Sequence, residues 1–146
     1  MLESVSYTCC VRYLAIDLGG KRTGLAVGDD ESLLVSPLQV IEQPLGEMLH
    51  KDIASAIDEH GPEAIVIGLP LNMDGTEGQP AADVRAFGEL LHRRTNLPVY
   101  YQDERLTSFD ADQQMARSGR THRQKARRRD ALAAAQILRD FLDRDS

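Results

Sequence analysis

The chain has 146 residues, 42% of them hydrophobic and 27% charged, with 17 basic against 23 acidic side chains and a formal net charge of −6. That length suits one domain with a real core, and no apolar run approaches the roughly 20 residues needed to cross a membrane. The two cysteines, adjacent at Cys9 and Cys10, cannot staple distant segments, and no Cys/His spacing suits zinc, so a reducing cytoplasm is the expected compartment.

Residues 1–10 lack the basic start of a signal peptide and read as a flexible extension of a single domain spanning 1–146. Val11 to Asp17 (VRYLAID) is the first predicted strand, and Leu18 to Arg22 a turn. Thr23 to Gly28 is a second strand, so the two form a hairpin. Leu33 to Ile41 suits a third strand, in which Pro37 fits an edge or a bulge. Pro44 suits the first position of a helix carrying Leu45, Met48, Leu49, Ile53, Ala56 and Ile57 at helical spacing, stopped by Gly61-Pro62. Ala64 to Leu69 is apolar throughout, as in a strand buried on both faces.

A Gly/Asn/Asp-rich loop, Pro70 to Gly78, precedes a second helix with Val84, Phe87, Leu90 and Leu91, and Pro98 to Tyr101 gives a fifth strand. Thr107 opens a third helix, with Asp110 completing a capping-box pattern. A basic segment then leads into a last helix with the apolar stripe Ala133, Ala134, Ile137, Leu138 and Phe141. The order predicts an α/β domain: one five-stranded mixed sheet, three antiparallel strands followed by two parallel, with helices on both faces.

Charge is unevenly spread. Seven of the 17 basic residues lie between Arg117 and Arg129, a stretch without an acid, leaving ten basic against 23 acidic residues elsewhere. Such a run is either a solvated segment or a local footprint for phosphates.

Three carboxylates stand at the ends of apolar elements. Asp17 closes the first strand, Glu104 follows the fifth, and Asp130 precedes Ala133, Ala134, Ile137 and Phe141 by 3, 4, 7 and 11 residues, on the inward face of the last helix. With the first and fifth strands as neighbours and the last helix packed across them, the three converge. Two carboxylates about 5 Å apart repel by roughly 3 kcal/mol at an effective dielectric of 20, so such a cluster binds protons or cations. Hard oxygen ligands alone favour Mg²⁺ or Mn²⁺. A pair of these ions is the usual device for in-line displacement at phosphorus. Asp29 and Asp103 are rivals for metal contact, and a turn, an ion pair with Arg105 or a helix dipole would each explain one acid separately.

Four motifs in order resemble the YqgF/RuvX-type family of RNase H-like nucleases, known as pre-16S rRNA nucleases and labelled Holliday-junction resolvases. They begin at Asp17-Leu18-Gly19-Gly20-Lys21-Arg22-Thr23-Gly24, Gly68-Leu69-Pro70-Leu71-Asn72, Asp103-Glu104-Arg105-Leu106-Thr107-Ser108 and Asp130-Ala131-Leu132-Ala133. The resemblance runs from about Tyr13 to Phe141. It implies an RNase H-like fold, an acidic cluster of Asp17, Glu104 and Asp130, and cytoplasmic action on structured RNA, above all the 5′ end of pre-16S rRNA, alone or in ribosomal particles. The chain departs from the family at Gly28-Asp29, Thr107-Ser108 and Arg128-Arg129, positions that bear on substrate contacts.

Beside the acids, Gly19 and Gly20 permit a tight turn, and Lys21 and Arg22 are placed to hold a phosphate. Arg105 orients Glu104 or clamps a phosphate. Asn72 and its loop contact a nucleotide, form a lid, or serve as an ordinary connection. Arg123, Lys125, Arg127 and Arg128 would track a nucleic-acid backbone without reading bases. The competing functions are resolution of branched DNA, a non-catalytic role in ribosome assembly, and the phosphate-gripping hairpin of actin-like sugar kinases. Those kinases need two lobes, and this chain supplies one. Nothing in the sequence announces a dimer interface.

Overall fold

The computed structural model describes residues 11–19, 21–103 and 122–144, with 122–130 and 144 described by their backbone alone. The extension over 1–10, the helix expected from Thr107, and Glu104 and Arg105 lie outside the described residues.

Five strands form one sheet: β1 (Arg12–Leu18), β2 (Thr23–Asp29), β3 (Val35–Ile41), β4 (Ala64–Leu69) and β5 (Val99–Asp103), in the order β3-β2-β1-β4-β5. The β1–β2 and β2–β3 pairs are antiparallel, and the β1–β4 and β4–β5 pairs parallel. The expected three-plus-two sheet is present, with one correction. Strand β4 lies between β1 and β5, so those two are not neighbours. The most apolar strand, β4, whose six residues are all buried, takes an interior place, because only a strand paired on both edges and covered on both faces removes such a run from water.

Strand β3 is a rim. Its register against β2 shifts where Leu25 pairs with Gln39 but Ala26 pairs with Pro37, leaving Leu38 as the extra residue of a bulge. Its start also falls at Val35 rather than Leu33, because Leu33 and Leu34 belong to the preceding turn.

Helices α1 (Glu47–His60) and α2 (Gln79–Thr95) cover one face, and α3 (His122–Arg144) the other. The first core is built of large side chains: Leu14, Ile16, Leu25, Ile65 and Ile67 from the sheet against Leu49, Ile53, Phe87 and Leu91. Each such fully buried side chain contributes about 1.5–3 kcal/mol. The second sets small sheet residues, Ala15, Ala26, Ala64 and Val66, against Ala134, Ala135, Ile137, Leu138 and Phe141 of α3. At Gly28 an added Cβ would lie 3.1 Å from Leu138 Cδ2 and 2.8 Å from the Leu34 carbonyl, so α3 sits close on the sheet there.

Two helix starts differ from expectation. Helix α1 begins at Glu47 rather than Pro44, behind Gly46; it ends in Gly61, whose left-handed φ of 60° glycine adopts without strain. Helix α3 begins at His122, so Arg123 to Arg129 form its first turns instead of a preceding loop. Lysine and arginine are good helix formers, and the apolar stripe behind them supplies the tertiary anchor. Among the described residues, no helix is long and apolar enough to cross a membrane.

Candidate active site

Alternation along β1 sends Leu14 and Ile16 into the core beneath α1 and α2, and Tyr13 and Ala15 into the core beneath α3. Asp17, half-buried, shares the parity of Tyr13 and Ala15 and therefore belongs to the α3 face at the C-terminal end of the strand. On one side Asp17 pairs with Gly24 of β2. One step beyond the Ile16–Ile67 pair of the parallel ladder, it comes level with Gly68 of β4, which pairs in turn with Gln102 of β5. Both immediate neighbours of Asp17 in its row are thus glycines. Sequence reading missed this: Gly24 and Gly68 were only motif letters until the register placed them beside Asp17.

The rivals separate. Asp29 pairs with Arg12 at the other end of the hairpin, five residues or about 17 Å along the strand from Asp17. There it organises a turn, its Oδ1 accepting the backbone N–H groups of Glu31 at 3.1 Å and Ser32 at 2.7 Å. Asp103 shares the parity of Val99 and Tyr101, which pack toward α1 and α2, so it lies on the face opposite Asp17 and two strand spacings, about 10 Å, away.

The turn after Asp17 is closed by the Gly19 N–H donating to the Arg22 carbonyl at 2.9 Å. A Cβ on Gly19 would lie 2.5 Å from that oxygen, so only glycine fits. Lys21 is exposed on this turn, Arg22 half-buried, and Gly20 lies outside the described residues.

The loop after β4 is an ordered hairpin. The Asn72 and Thr76 main chains bond at 2.8 Å, the Asn72 Nδ2 donates to Thr76 Oγ1 at 3.0 Å, and Thr76 Oγ1 donates to Asp74 Oδ1 at 2.7 Å. Its base is braced against β5: Arg85 grips Glu77 through two 2.7 Å bonds, and its guanidinium stands 4.9 Å from the centre of the Tyr101 ring. This arginine holds the Glu77 carboxyl below the usual carboxylate range, and burial raises the Tyr101 phenol.

Asp130 and the basic residues Arg123, Lys125, Arg127 and Arg128 lie on α3, with only their backbone described. Position 130 precedes Ala134, Ile137 and Phe141, all buried against the sheet, at helical spacing. Among the described residues, no three His, Cys, Asp or Glu side chains stand close enough to hold a metal ion.

The sheet order, the three-plus-two strand directions and the helix pair opposite a long C-terminal helix define an RNase H-type fold of the kind found in resolvases. The fold is shared with RuvC of T. thermophilus in complex with a Holliday junction substrate (TM-score 0.56, 16% identity, covering 92% of this chain and 94% of that one). It is shared too with the Fowlpox virus resolvase in complex with Holliday junction DNA (TM-score 0.57, 11% identity, 91% and 97% covered). Residues 11–144 match the family model described as "RuvX: Holliday junction resolvase", and the chain belongs to that family. Curated relatives bear the name "Putative pre-16S rRNA nuclease". One from Anaeromyxobacter sp. (strain Fw109-5) is 44% identical, covering 91% of this chain and 97% of the relative. Another from Maridesulfovibrio salexigens is 34% identical, covering 92% and 99%.

Proposed function

We propose that this protein is a divalent-cation-dependent nuclease acting on structured RNA, that its target is the 5′ end of pre-16S rRNA, free or in ribosomal particles in the cytoplasm, and that Asp17, Glu104 and Asp130 hold the cations. The observation that carries this reading is the position of Asp17: at the end of a central strand, between two glycines, on the face covered by α3. Asp103 lies on the other face of the sheet, which counts against it as the second acid and supports the choice of Glu104. Helix length favours Asp130 as the third. Phe141 packs on Tyr13 with ring centroids 5.5 Å apart. From Phe141 back to Asp130 is about 16 Å of helix, and from Tyr13 to Asp17 about 13 Å of strand, nearly the same distance.

Three carboxylates brought together in this way supply the hard oxygen donors that suit Mg²⁺ or Mn²⁺. The chemistry such ions supply is activation of water and stabilisation of the leaving oxygen. The chain's own part is to position and to bind. Lys21 and Arg22 hold the phosphate next to Asp17, Arg105 orients Glu104, and Arg123, Lys125, Arg127 and Arg128 track the backbone along α3. Asn72, with Nδ2 committed to Thr76, keeps its Oδ1 to accept from a nucleotide.

The test incubates the parent and Asp17→Asn with pre-16S rRNA and with a four-way DNA junction, with and without Mn²⁺. Expected is Mn²⁺-dependent 5′ cleavage of the RNA, reduced roughly 10²-fold or more in a variant that still folds and still binds. An Asp17→Asn protein that cuts as fast as the parent overturns the site. Cutting of the junction alone moves the activity to branched DNA, and salt-sensitive binding without cleavage leaves an assembly factor.

A further inference from the structure

The face of the sheet opposite Asp17 carries a groove that ends at the turn next to Asp17. Its wider part is a cavity of about 350 Å³ between α1 and α2, with walls of Leu45, Ala86, Phe87 and Leu90. Its narrower part, about 180 Å³, runs past Pro70, Pro80 and Val84 to Leu18 and Gly19. Both parts are lined by Leu45 and Asp83, so they are continuous. Gly19 closes the turn that carries Lys21 and Arg22, one residue beyond the strand end that presents Asp17 to the other face.

Three polar side chains line the wider part, and two are committed. Glu47 accepts both Arg94 amino groups, at 2.8 and 3.0 Å, and Asp83 accepts the Gln79 amide at 2.9 Å. His50 is the exception. It is 7% exposed, and its Nδ1 is buried with no partner among the described residues. Burial lowers its pKa, so the ring is neutral at pH 7, with one N–H and one bare nitrogen. The bare nitrogen is the cheaper of the two to bury alone, which puts the proton on Nε2, the nitrogen left for the cavity that His50 lines. A polar ring in an apolar layer is costly unless a partner meets it.

These features select the ligand. The volume falls within the range of small-molecule sites, about 300–1,000 Å³. Apolar walls beside the His50–Phe87 stack suit a flat ring. The His50 donor, and the first turn of α1, which Gly46 starts without a side-chain cap, suit a neutral carbonyl. The rim carboxylates of Glu47 and Asp83 disfavour an anion.

We propose that this groove takes one unpaired base, uracil above all, from the RNA strand whose backbone Lys21 and Arg22 hold. The base crosses the Gly19 turn, passes Leu45 and lies against the Phe87 side of the cavity, where a carbonyl accepts from His50 Nε2. Uracil presents two carbonyls and no amino group. A paired base must first leave its stack, so the groove selects unpaired nucleotides. This inference rests on the reading of the protein as an RNA nuclease.

The test is a fluorescence-anisotropy titration of the full chain, without divalent cations, with a labelled RNA hairpin bearing one unpaired uridine beside its stem. An abasic site in place of that uracil is expected to weaken binding at least fivefold. Difluorotoluene, which keeps the shape of uracil but accepts poorly, should weaken it several-fold. Ala86→Phe, at an exposed position, fills the cavity and should bind the intact and abasic hairpins within twofold of each other. His50→Phe should bind the uracil and difluorotoluene hairpins alike, whereas a merely structural histidine would shift all the affinities together. The proposal is overturned if the parent binds the abasic hairpin as tightly as the intact one, or if either variant keeps the parent's discrimination. Cleavage enters none of these readings. Loss of cutting in Asp17→Asn without base dependence in the parent removes the pocket and keeps the nuclease. Base-dependent binding by a parent that does not cut keeps the pocket and removes the nuclease.

Discussion

His50 carries a polar ring into the apolar layer between α1 and α2. It is buried, stacked on Phe87 with centroids 4.2 Å apart, and its Nδ1 has no hydrogen-bond partner among the described residues. Burial holds its pKa below the ordinary histidine value; the nearby Arg94 guanidinium pushes the same way, and Glu47 pulls against both. The folded state therefore takes up this proton less readily than the unfolded chain. Its share of stability is whole above about pH 6.5 and is lost as pH falls through the depressed folded-state value. His50→Phe keeps the stack and removes the titration, so its Tm should fall less than the parent's between pH 7.5 and pH 5. Equal losses in paired thermal melts would refute this.

At the scale of elements, packing overrides propensity at Gly88. In a helix interior alanine is normally better than glycine by about 1 kcal/mol. Here a Cβ would run into the Tyr101 hydroxyl and come within 3.1 Å of Ile67 Cδ1. Gly88→Ala is expected to destabilise by about 1–3 kcal/mol, read as a lower urea midpoint at unchanged slope, and Tyr101→Phe to restore part of the loss. Elements whose signals are local were legible in the sequence. Strand β4 has its predicted bounds because Pro62 and Pro70 bracket an unbroken apolar run, and β1 and β2 are within one residue. The start of β3 was misread because Leu33 and Leu34 look like strand residues while Asp29 and Ser32 fold them into a turn. The place of β4 between β1 and β5 was not legible, since lateral order is decided by which strand most needs covering on both faces. Asp17 could be picked out by its place at a strand end. Its glycine neighbours, and the exile of Asp103 to the other face, needed register, which is non-local.

The whole molecule is electrically divided, with seven basic residues gathered between Arg117 and Arg129 and an excess of acids elsewhere. If Lys21, Arg22, Arg123, Lys125, Arg127 and Arg128 each neutralise one phosphate, the logarithm of RNA affinity should fall against log salt with a slope of about −4 to −5. Lys125→Ala should reduce that slope by just under one and weaken all sequences alike, which a salt series on unrelated structured RNAs would check. A slope unchanged by the substitution would remove the arm from the interface. The bulge at Leu38 matters at this scale as well. A rim strand offers its outward amides and carbonyls to any passing chain, including another copy of itself. Pro37 withholds one of those amides and the extra residue breaks their spacing, so a strand laid alongside cannot hold its pairing across the defect. This border of the sheet is a poor template for fibril growth, a safeguard against self-templated aggregation at the high concentrations of a crowded cell.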